Sequence, residues 1–571
     1  MHYTPREEFD AIVVGSGITG GWAAKELCEK GLRTLVLERG RDVRHGADYV
    51  TEDRPSWELK YRGRRPPTEE ADRDYKVQQR TYAFRESTKH FWIKDGENPY
   101  EEVKPFTFIR GDQVGGRSLM WGRQSYRWSD LDFEANARDG HGVDWPIRYR
   151  DLAPWYDYVE RFIGVSGNTE GMPQLPDGQF LPPMALNAAE AAVKAGVEAK
   201  WTNRRITPGR CAVLTVPHNG RGACHYCGPC EQGCSVGAYF SSQSSTLPAA
   251  KATGNLTLRP NSLVHSVIYD EEKDRAVGVR VIDRNTLEMT EVNARVIFLT
   301  ASTLGSTQIL LNSISRRFPN GLANSSGALG HYLMDHHYQV GAEGIHPGYD
   351  DRYYVGNKPN GFYIIRYRNL GDAASRTRDY VRGYGFQGEA QRTSWERGID
   401  SADFGASLKR SLRDPGPFKY WLGSWGETLP RFDNYVELSE ETDGYGLPIM
   451  KINCTWGENE LAMRKDMAAD AAEMLESAGA TDVVPFDHHS DDGYGAEPGL
   501  CIHEMGTARM GRDPKTSVLN GHNQAHDVPN LFVTDGSCMA SSACQNPSLT
   551  YMALTARACD FAVSEMKAGR I

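Results

Sequence analysis

Two stretches of this chain hold residue types at spacings that could do chemistry. Residues 224–234 read CHYCGPCEQGC, which puts four of the eleven cysteines into eleven positions. Cys224, Cys227, Cys230 and Cys234 stand at the spacing of a bacterial ferredoxin run, in which thiolates two and three residues apart curl around one small iron–sulfur cluster. Ser235 replaces the proline that follows the last cysteine of that run, and no second run is present, so the nuclearity stays open. Two other readings share the spacing. A structural zinc site usually presents two CxxC knuckles with a longer loop between them, and that loop is missing here. A disulfide pair or unused thiols are the remaining alternative, although Cys28, Cys211, Cys454, Cys501, Cys538, Cys544 and Cys559 are scattered singly and a disulfide framework would be strange in a chain this long.

The second stretch is DAIVVGSGITGGWAAKELCEKGLRTLVLE, residues 10–38. It predicts a short buried strand, a glycine turn, a helix and a second strand, the order a βαβ unit needs. Gly15 permits the tight turn, Gly17 lets the backbone approach a pyrophosphate, and Gly20 lets helix and strand pack closely. The helix N-terminus then offers free N–H groups to the anion. Glu38, ending the second strand, would accept hydrogen bonds from ribose hydroxyls and disfavours a 2′-phosphate. The residues therefore point to FAD or NAD rather than NADP.

The elements that hold these stretches belong to a large soluble protein. At 571 residues the chain exceeds one typical domain of roughly 100–200 residues, so two joined domains are expected. A net charge of −10 without a Lys/Arg block excludes nucleic acid as a main partner. The chain opens MHYTPREEFDAIVVGSGITGG, whose first apolar run is only Ala11 to Val14, and no run elsewhere reaches 18 apolar residues. That reads as neither a signal peptide nor a membrane span. The chain itself is then cytoplasmic unless something else carries it outward.

Further along stand IRGDQVGGRSLMWGRQSYRW (109–128), VIFLTASTLGSTQILLNS (296–313), HEMGTARMGRDPKTSVLN from His503, and NLFVTDGSCMASSACQNPSLTYMALTARA from Asn530. With these motifs nearly the whole chain resembles the glucose–methanol–choline (GMC) oxidoreductases, flavoenzymes that oxidise alcohols. The resemblance implies an α/β fold, with a Rossmann-like FAD-binding domain and a second, β-sheet-rich substrate-binding domain. It selects FAD. Gly115 and Gly116 would let the backbone lie against a flat ring system while Ser118 and nearby amides supply hydrogen bonds. Val264 stands where the family holds the adenine by backbone atoms, and Asp535 with Gly536 where the flavin's chain is contacted near a helix N-terminus. Family members with covalent flavin carry a histidine after the glycine pair, and Arg117 to Trp121 contains none, so the FAD is expected to be non-covalent.

His503 and Asn546 match the two family positions that face the flavin beside the substrate carbinol. Alcohol oxidation needs a base for the hydroxyl proton while hydride leaves carbon. Of the pair only His503 titrates near neutrality, with an ordinary pKa of roughly 6.5, so it is the expected base. Asn546 would donate to the developing alkoxide. His522 and His526, in LNGHNQAHDVPN, are expected in a polar loop.

The resemblance is strongest to the branch of glucoside 3-dehydrogenases and the catalytic subunit of FAD-dependent glucose dehydrogenase, through CHYCGPC followed by SSQSSTLPAA and through ACQNPSLT. It implies a [3Fe-4S] cluster on three of the four cysteines, with Cys230 and Cys234 matching best and either Cys224 or Cys227 as the third. It further implies oxidation of C3 of glucosides or disaccharides, electron transfer to a cytochrome c, and a small subunit whose export signal carries the enzyme to the periplasm. The rivals are a cluster-free oxidase using oxygen and a lyase in which FAD is structural. The motifs place the discontinuous FAD domain at 1–55, 105–160, 205–330 and 500–571, the substrate domain at 331–499, and a charged, solvated lid or insertion at 56–104. Aromatic residues in DDRYYVGNKPNGFYIIRYRN and FKYWLGSWGE suit either a wall for sugar rings or ordinary strand core.

Overall fold

The computed structural model describes residues 8–349, 358–393, 395–398, 401–413, 416–490 and 496–571. The strand Glu8–Val14 becomes fully buried from Ala11 onward, because parallel neighbours flank it on both sides. It pairs with Thr34–Leu37 on one side, which in turn pairs with Leu256–Arg259. On the other side lies Met289–Leu299. That long strand divides its pairing. Its last residues run parallel to Leu531–Val533, and its first residues run antiparallel to Arg275–Asp283, which pairs with Ser262–Asp270. The result is a seven-stranded sheet whose parallel part gathers strands from both ends of the chain. The helices Ile18–Glu29 and Ser548–Lys567 pack against it with Val36, Phe298 and Phe532 in a shared core.

A second sheet of six antiparallel strands runs in the order Thr481–Asp487, Val340–His346, Phe418–Gly426, Tyr384–Arg392, Phe362–Ile364, Ile206–Pro208. Its side chains alternate as a one-sided sheet demands. Tyr384, Phe386, Tyr420 and Leu422 are buried against the helices Ala188–Lys200 and Glu458–Ser477, which supply Val193, Val197, Met467 and Met474. Their neighbours Gln387, Glu389, Trp421 and Trp425 turn to the opposite face and line a cavity. Ile206–Pro208 belongs to this sheet, although the sequence motifs placed residues from 205 onward with the FAD domain.

The two alternating strands expected in NYVELSEETDGYGLPIMKINCTW form the hairpin Tyr435–Thr442 and Pro448–Asn453, extended in parallel by Tyr100–Glu102. The stretch 56–104 departs from a solvated insertion. Despite its charge it folds into short helical turns, and it buries Phe84, Phe91 and Trp92 against Ile109, Leu119 and Met120. Its apolar residues are spaced irregularly between charges, so no periodic signal exposes this core. No described helix is long and apolar enough to cross a membrane.

Candidate active site

A cavity of about 820 Å³ lies between the two sheets, and Gly15, Gly17, Glu38, Gly116, Ser118, Val264, His503, Asp535, Gly536 and Asn546 all line it. That volume falls within the roughly 300–1,000 Å³ usual for cofactor and ligand pockets. The turn after the first strand fits a dinucleotide in detail. Gly15 has φ +95° and a Cβ there would lie 2.6 Å from the Thr300 carbonyl oxygen, whereas a Cβ on Gly20 would lie 1.9 Å from the Gly15 oxygen. A Cβ on Gly17 would meet nothing within 4 Å, because that face opens onto the cavity. Glu38 is held by the Ser16 hydroxyl (2.6 Å) and by the N–H groups of Ser16 and Gly40, and burial pushes its carboxyl upward against those bonds.

The remaining cofactor-facing residues sit as follows. The strand containing Val264 slips register between Val264 and Ser266, leaving a residue out of the ladder where the strand borders the cavity. Asp535 accepts hydrogen bonds from the Ser537 N–H (3.1 Å) and hydroxyl (2.6 Å) and from the Ser306 hydroxyl, so it caps the turn Gly536–Cys538. Gly116 lines the cavity, but Gly115 lies behind it against Gln243. The Ser118 hydroxyl is already engaged, donating to the Gly115 carbonyl (2.6 Å) and accepting from the Ser242 N–H (3.1 Å). Its contribution is to shape the loop. These features fit FAD, with open backbone at the pyrophosphate position, a carboxylate at the ribose position and a glycine wall at the ring position.

At the inner end of the cavity His503 and Asn546 converge, with Asn546 Nδ2 3.4 Å from His503 Nε2. The segment carrying His503 is pinned by Asp335, whose carboxylate accepts from the N–H groups of Gly499 (2.8 Å), Cys501 (3.2 Å) and His503 (2.9 Å). Burial and the nearby Glu504 push that carboxyl up to about 7 while the three donors pull the other way. Glu504 forms a bidentate pair with Arg117 at 3.1 Å, tying the glycine loop to this segment. The His503 Nδ1 lies 2.8 Å from His336 Nδ1 and 3.2 Å from Cys501 Sγ. Burial first, then His336 and Arg117, push His503 well below the ordinary histidine value.

Sequence reading missed Asp335, His336 and Gln387. Gln387 Nε2 donates to Asn546 Oδ1 at 2.7 Å, which fixes the amide with its NH₂ toward His503. Its signal was faint, a glutamine on the odd-numbered face of an alternating strand. Among the aromatic residues, Trp421 and Trp425 face the cavity, joined by Tyr338 stacked on Trp425 at 5.2 Å, whereas Phe362 shares the core face of Phe386. Tyr363, Tyr367 and Tyr420 are core residues, and Tyr353 and Tyr354 lie outside the described residues. His522 stacks on Phe561 and His526 bonds Ser517, both away from the cavity.

Cys224, Cys227, Cys230 and Cys234 are free thiols on one loop, with Cys227 exposed and the others half-buried. Among the described residues no three of them bring their sulfurs within 4.8 Å of one another. A single tetrahedral zinc, with Zn–S of roughly 2.3 Å, needs tighter gathering; a cluster whose thiolates bind different irons does not. The Tyr226 N–H points at Cys224 Sγ (3.4 Å). Arg123 supplies a positive charge that favours the Cys230 thiolate, against burial that pushes this thiol up to about 12. The same Arg123 lines the cavity and lies over the Tyr239 ring.

A split parallel sheet with a glycine-rich dinucleotide turn, a second antiparallel sheet roofing the cavity, and a histidine–asparagine pair between them define a two-domain, dinucleotide-dependent oxidoreductase of alcohols. Residues 9–338 match the amino-terminal family model and residues 430–555 the carboxy-terminal family model of the GMC oxidoreductases, and the chain belongs to that family, whose enzymes bind FAD. It is 28% identical to 2-methyl-1,2-propanediol dehydrogenase of Mycolicibacterium austroafricanum over 98% of this chain and 96% of that one. It is 25% identical to the fructose dehydrogenase large subunit of Gluconobacter japonicus, covering 98% of each chain, a protein that by its name works in an assembly of subunits. The crystal structure of pyridoxine 4-oxidase from Mesorbium loti shares the fold, with a TM-score of 0.59 at 15% identity over 97% of this chain and 98% of that chain.

Proposed function

We propose that this protein is a non-covalent FAD-dependent dehydrogenase that oxidises a secondary ring hydroxyl of a sugar, C3 of a glucoside or disaccharide being the favoured position. The observation that carries the reading is the convergence of His503 Nε2 and Asn546 Nδ2, 3.4 Å apart, on a cavity roofed by Trp421 and Trp425. FAD bound there supplies the hydride acceptor. His503 takes the hydroxyl proton at Nε2, and Asn546, oriented by Gln387, donates to the oxygen as it gains charge. The indole faces suit the C–H faces of a sugar ring, while Gln387 and Glu389, two positions apart on one strand, offer partners to its hydroxyls. The relative named for fructose supports a sugar substrate.

The proposal extends to the cysteine loop. Cys230 and Cys234, with Cys224 or Cys227, would hold a [3Fe-4S] cluster, which would supply one-electron capacity between a two-electron oxidation and a cytochrome c. A small subunit bearing an export signal would carry the enzyme to the periplasm. The test is an anaerobic titration of the purified holoenzyme with a disaccharide, followed by visible and EPR spectra. Bleaching of the flavin with a changing iron signal is expected. Protein isolated without oxygen but free of iron and labile sulfide would sink the cluster, and peroxide release matching turnover under air would establish the oxidase instead. A flavin that substrate fails to bleach would overturn dehydrogenation.

A further inference from the structure

We infer that His336 is a positioning residue that fixes the tautomer of His503, so that the catalytic lone pair sits on Nε2 and faces the substrate. This inference rests on the reading of His503 as the base. The His336 Nε2 lies within hydrogen-bond distance of the Ala543 carbonyl oxygen, which only accepts, so Nε2 carries the hydrogen. Burial pushes His336 down to about 4, which leaves it neutral at pH 7 with a bare lone pair on Nδ1. That lone pair faces His503 Nδ1 at 2.8 Å. Two lone pairs at that distance repel, so His503 must carry its hydrogen on Nδ1 and donate it to His336. His503 is itself neutral, and its Nε2 is left unprotonated toward the Asn546 NH₂.

The arrangement resembles an acid that orients a catalytic imidazole, except that the orienting group here is a neutral histidine anchored on a carbonyl. The end of the chain is closed, because the Ala543 carbonyl accepts no proton at neutral pH. A proton taken at His503 Nε2 therefore goes no further than the His503–His336 pair. Cys501 is the competing neighbour. Its Sγ lies 3.2 Å from the same Nδ1, and burial keeps it a thiol. Without His336 the thiol would be free to donate to Nδ1, which would move the hydrogen to Nε2 and block the base.

The test uses holoenzymes of the wild type, His336→Ala and His336→Asn, since an asparagine Oδ1 can occupy the place of the histidine Nδ1 and accept the same hydrogen. His336→Ala should lower kcat by about 10²-fold with KM little changed, below the ~10⁴-fold cost of the wrong tautomer in a serine-protease triad, and His336→Asn should recover most of that loss. In ¹⁵N-histidine-labelled wild type, His503 should show a protonated Nδ1 and a bare Nε2, shifting toward the other tautomer in His336→Ala. The pH profile of kcat/KM should move in His336→Ala and return in His336→Asn; the groups facing His503 are His336, Cys501 and Arg117, with Asp335 and Glu504 behind its own segment. Equal losses in both variants, or a protonated Nε2 in the wild type, would overturn the inference. Undiminished activity in His503→Ala would instead overturn the role of His503.

Discussion

At the scale of single residues the proposed chemistry depends on the protonation of one ring and the orientation of one amide. His503 is pushed well below its ordinary value by burial, His336 and Arg117. A base is competent when deprotonated, so a lowered pKa widens its working range toward acid. The kcat/KM of the oxidised holoenzyme should therefore run flat through pH 6.5, the ordinary histidine midpoint of roughly 6.5, with its acid limb below that value; a limb centred at 6.5 in a pH–rate profile would contradict the buried geometry. Asn546 depends on Gln387. Replacing Gln387 with Leu leaves Asn546 Oδ1 without its donor and lets the amide turn its oxygen toward the His503 lone pair. We expect kcat to fall by about 10–10²-fold with FAD content unchanged, read by steady-state kinetics beside the flavin spectrum. His503 and Asn546 were legible in the sequence because each sits in a contiguous motif. His336 and Gln387 were not, since their roles arise only when the DHH triplet at 335–337 and a strand of the second sheet are folded onto that motif.

At the scale of elements the first βαβ unit was readable residue by residue, because its demands on glycine are local. The structure separates those glycines into different physical roles, and the difference can be measured. Gly20→Ala would drive a Cβ to 1.9 Å from a backbone oxygen and force the helix off the strand. It should lower stability by about 1–3 kcal/mol, seen as a lower midpoint in thermal unfolding. Gly17→Ala adds its methyl to open space in the cavity. The fold should then keep its unfolding midpoint without cofactor, while FAD binds at least about tenfold more weakly, the equivalent of roughly one hydrogen bond. A matching loss of stability in both variants would show that the two glycines do the same job. The stretch 56–104 was misread as solvated because its charged residues outnumber the few apolar ones, yet Phe84, Phe91 and Trp92 are buried. The alternation of Gln387 and Glu389 with Phe386 and Ala390 was visible, but which face met a helix and which the cavity depended on the second sheet's other strands.

At the scale of the whole molecule, the two sheets must hold their faces together for His503, Asn546 and the aromatic roof to meet. Part of that joint is ionic. Arg366, just beyond the strand Phe362–Ile364, pairs at 2.6 Å with Glu427, just beyond Phe418–Gly426 of the same sheet, and from there faces Asp132 across the joint at 3.9 Å, all three buried. Arg382 likewise pairs with Asp139 and bonds Asn136. Such pairs bring together residues far apart in the chain, so no local pattern announces them. Burial, then Glu427, pushes the Asp132 carboxyl up to about 7, with Arg366 opposing. Because the folded value exceeds the ordinary 3.8, this group's contribution to stability is complete below that value and is lost as pH rises through about 7. Arg366→Met removes the cation and leaves two buried carboxyl groups facing each other, which should cost about 3–5 kcal/mol at pH 8. Acid should relieve the deficit, since protonating Asp132 removes a charge that no longer has a partner. Thermal unfolding of wild type and Arg366→Met at pH 6 and pH 8 separates the cases. A gap in Tm that narrows at pH 6 is expected, and a gap equal at both pH values would mean that Arg366 joins the sheets by packing alone.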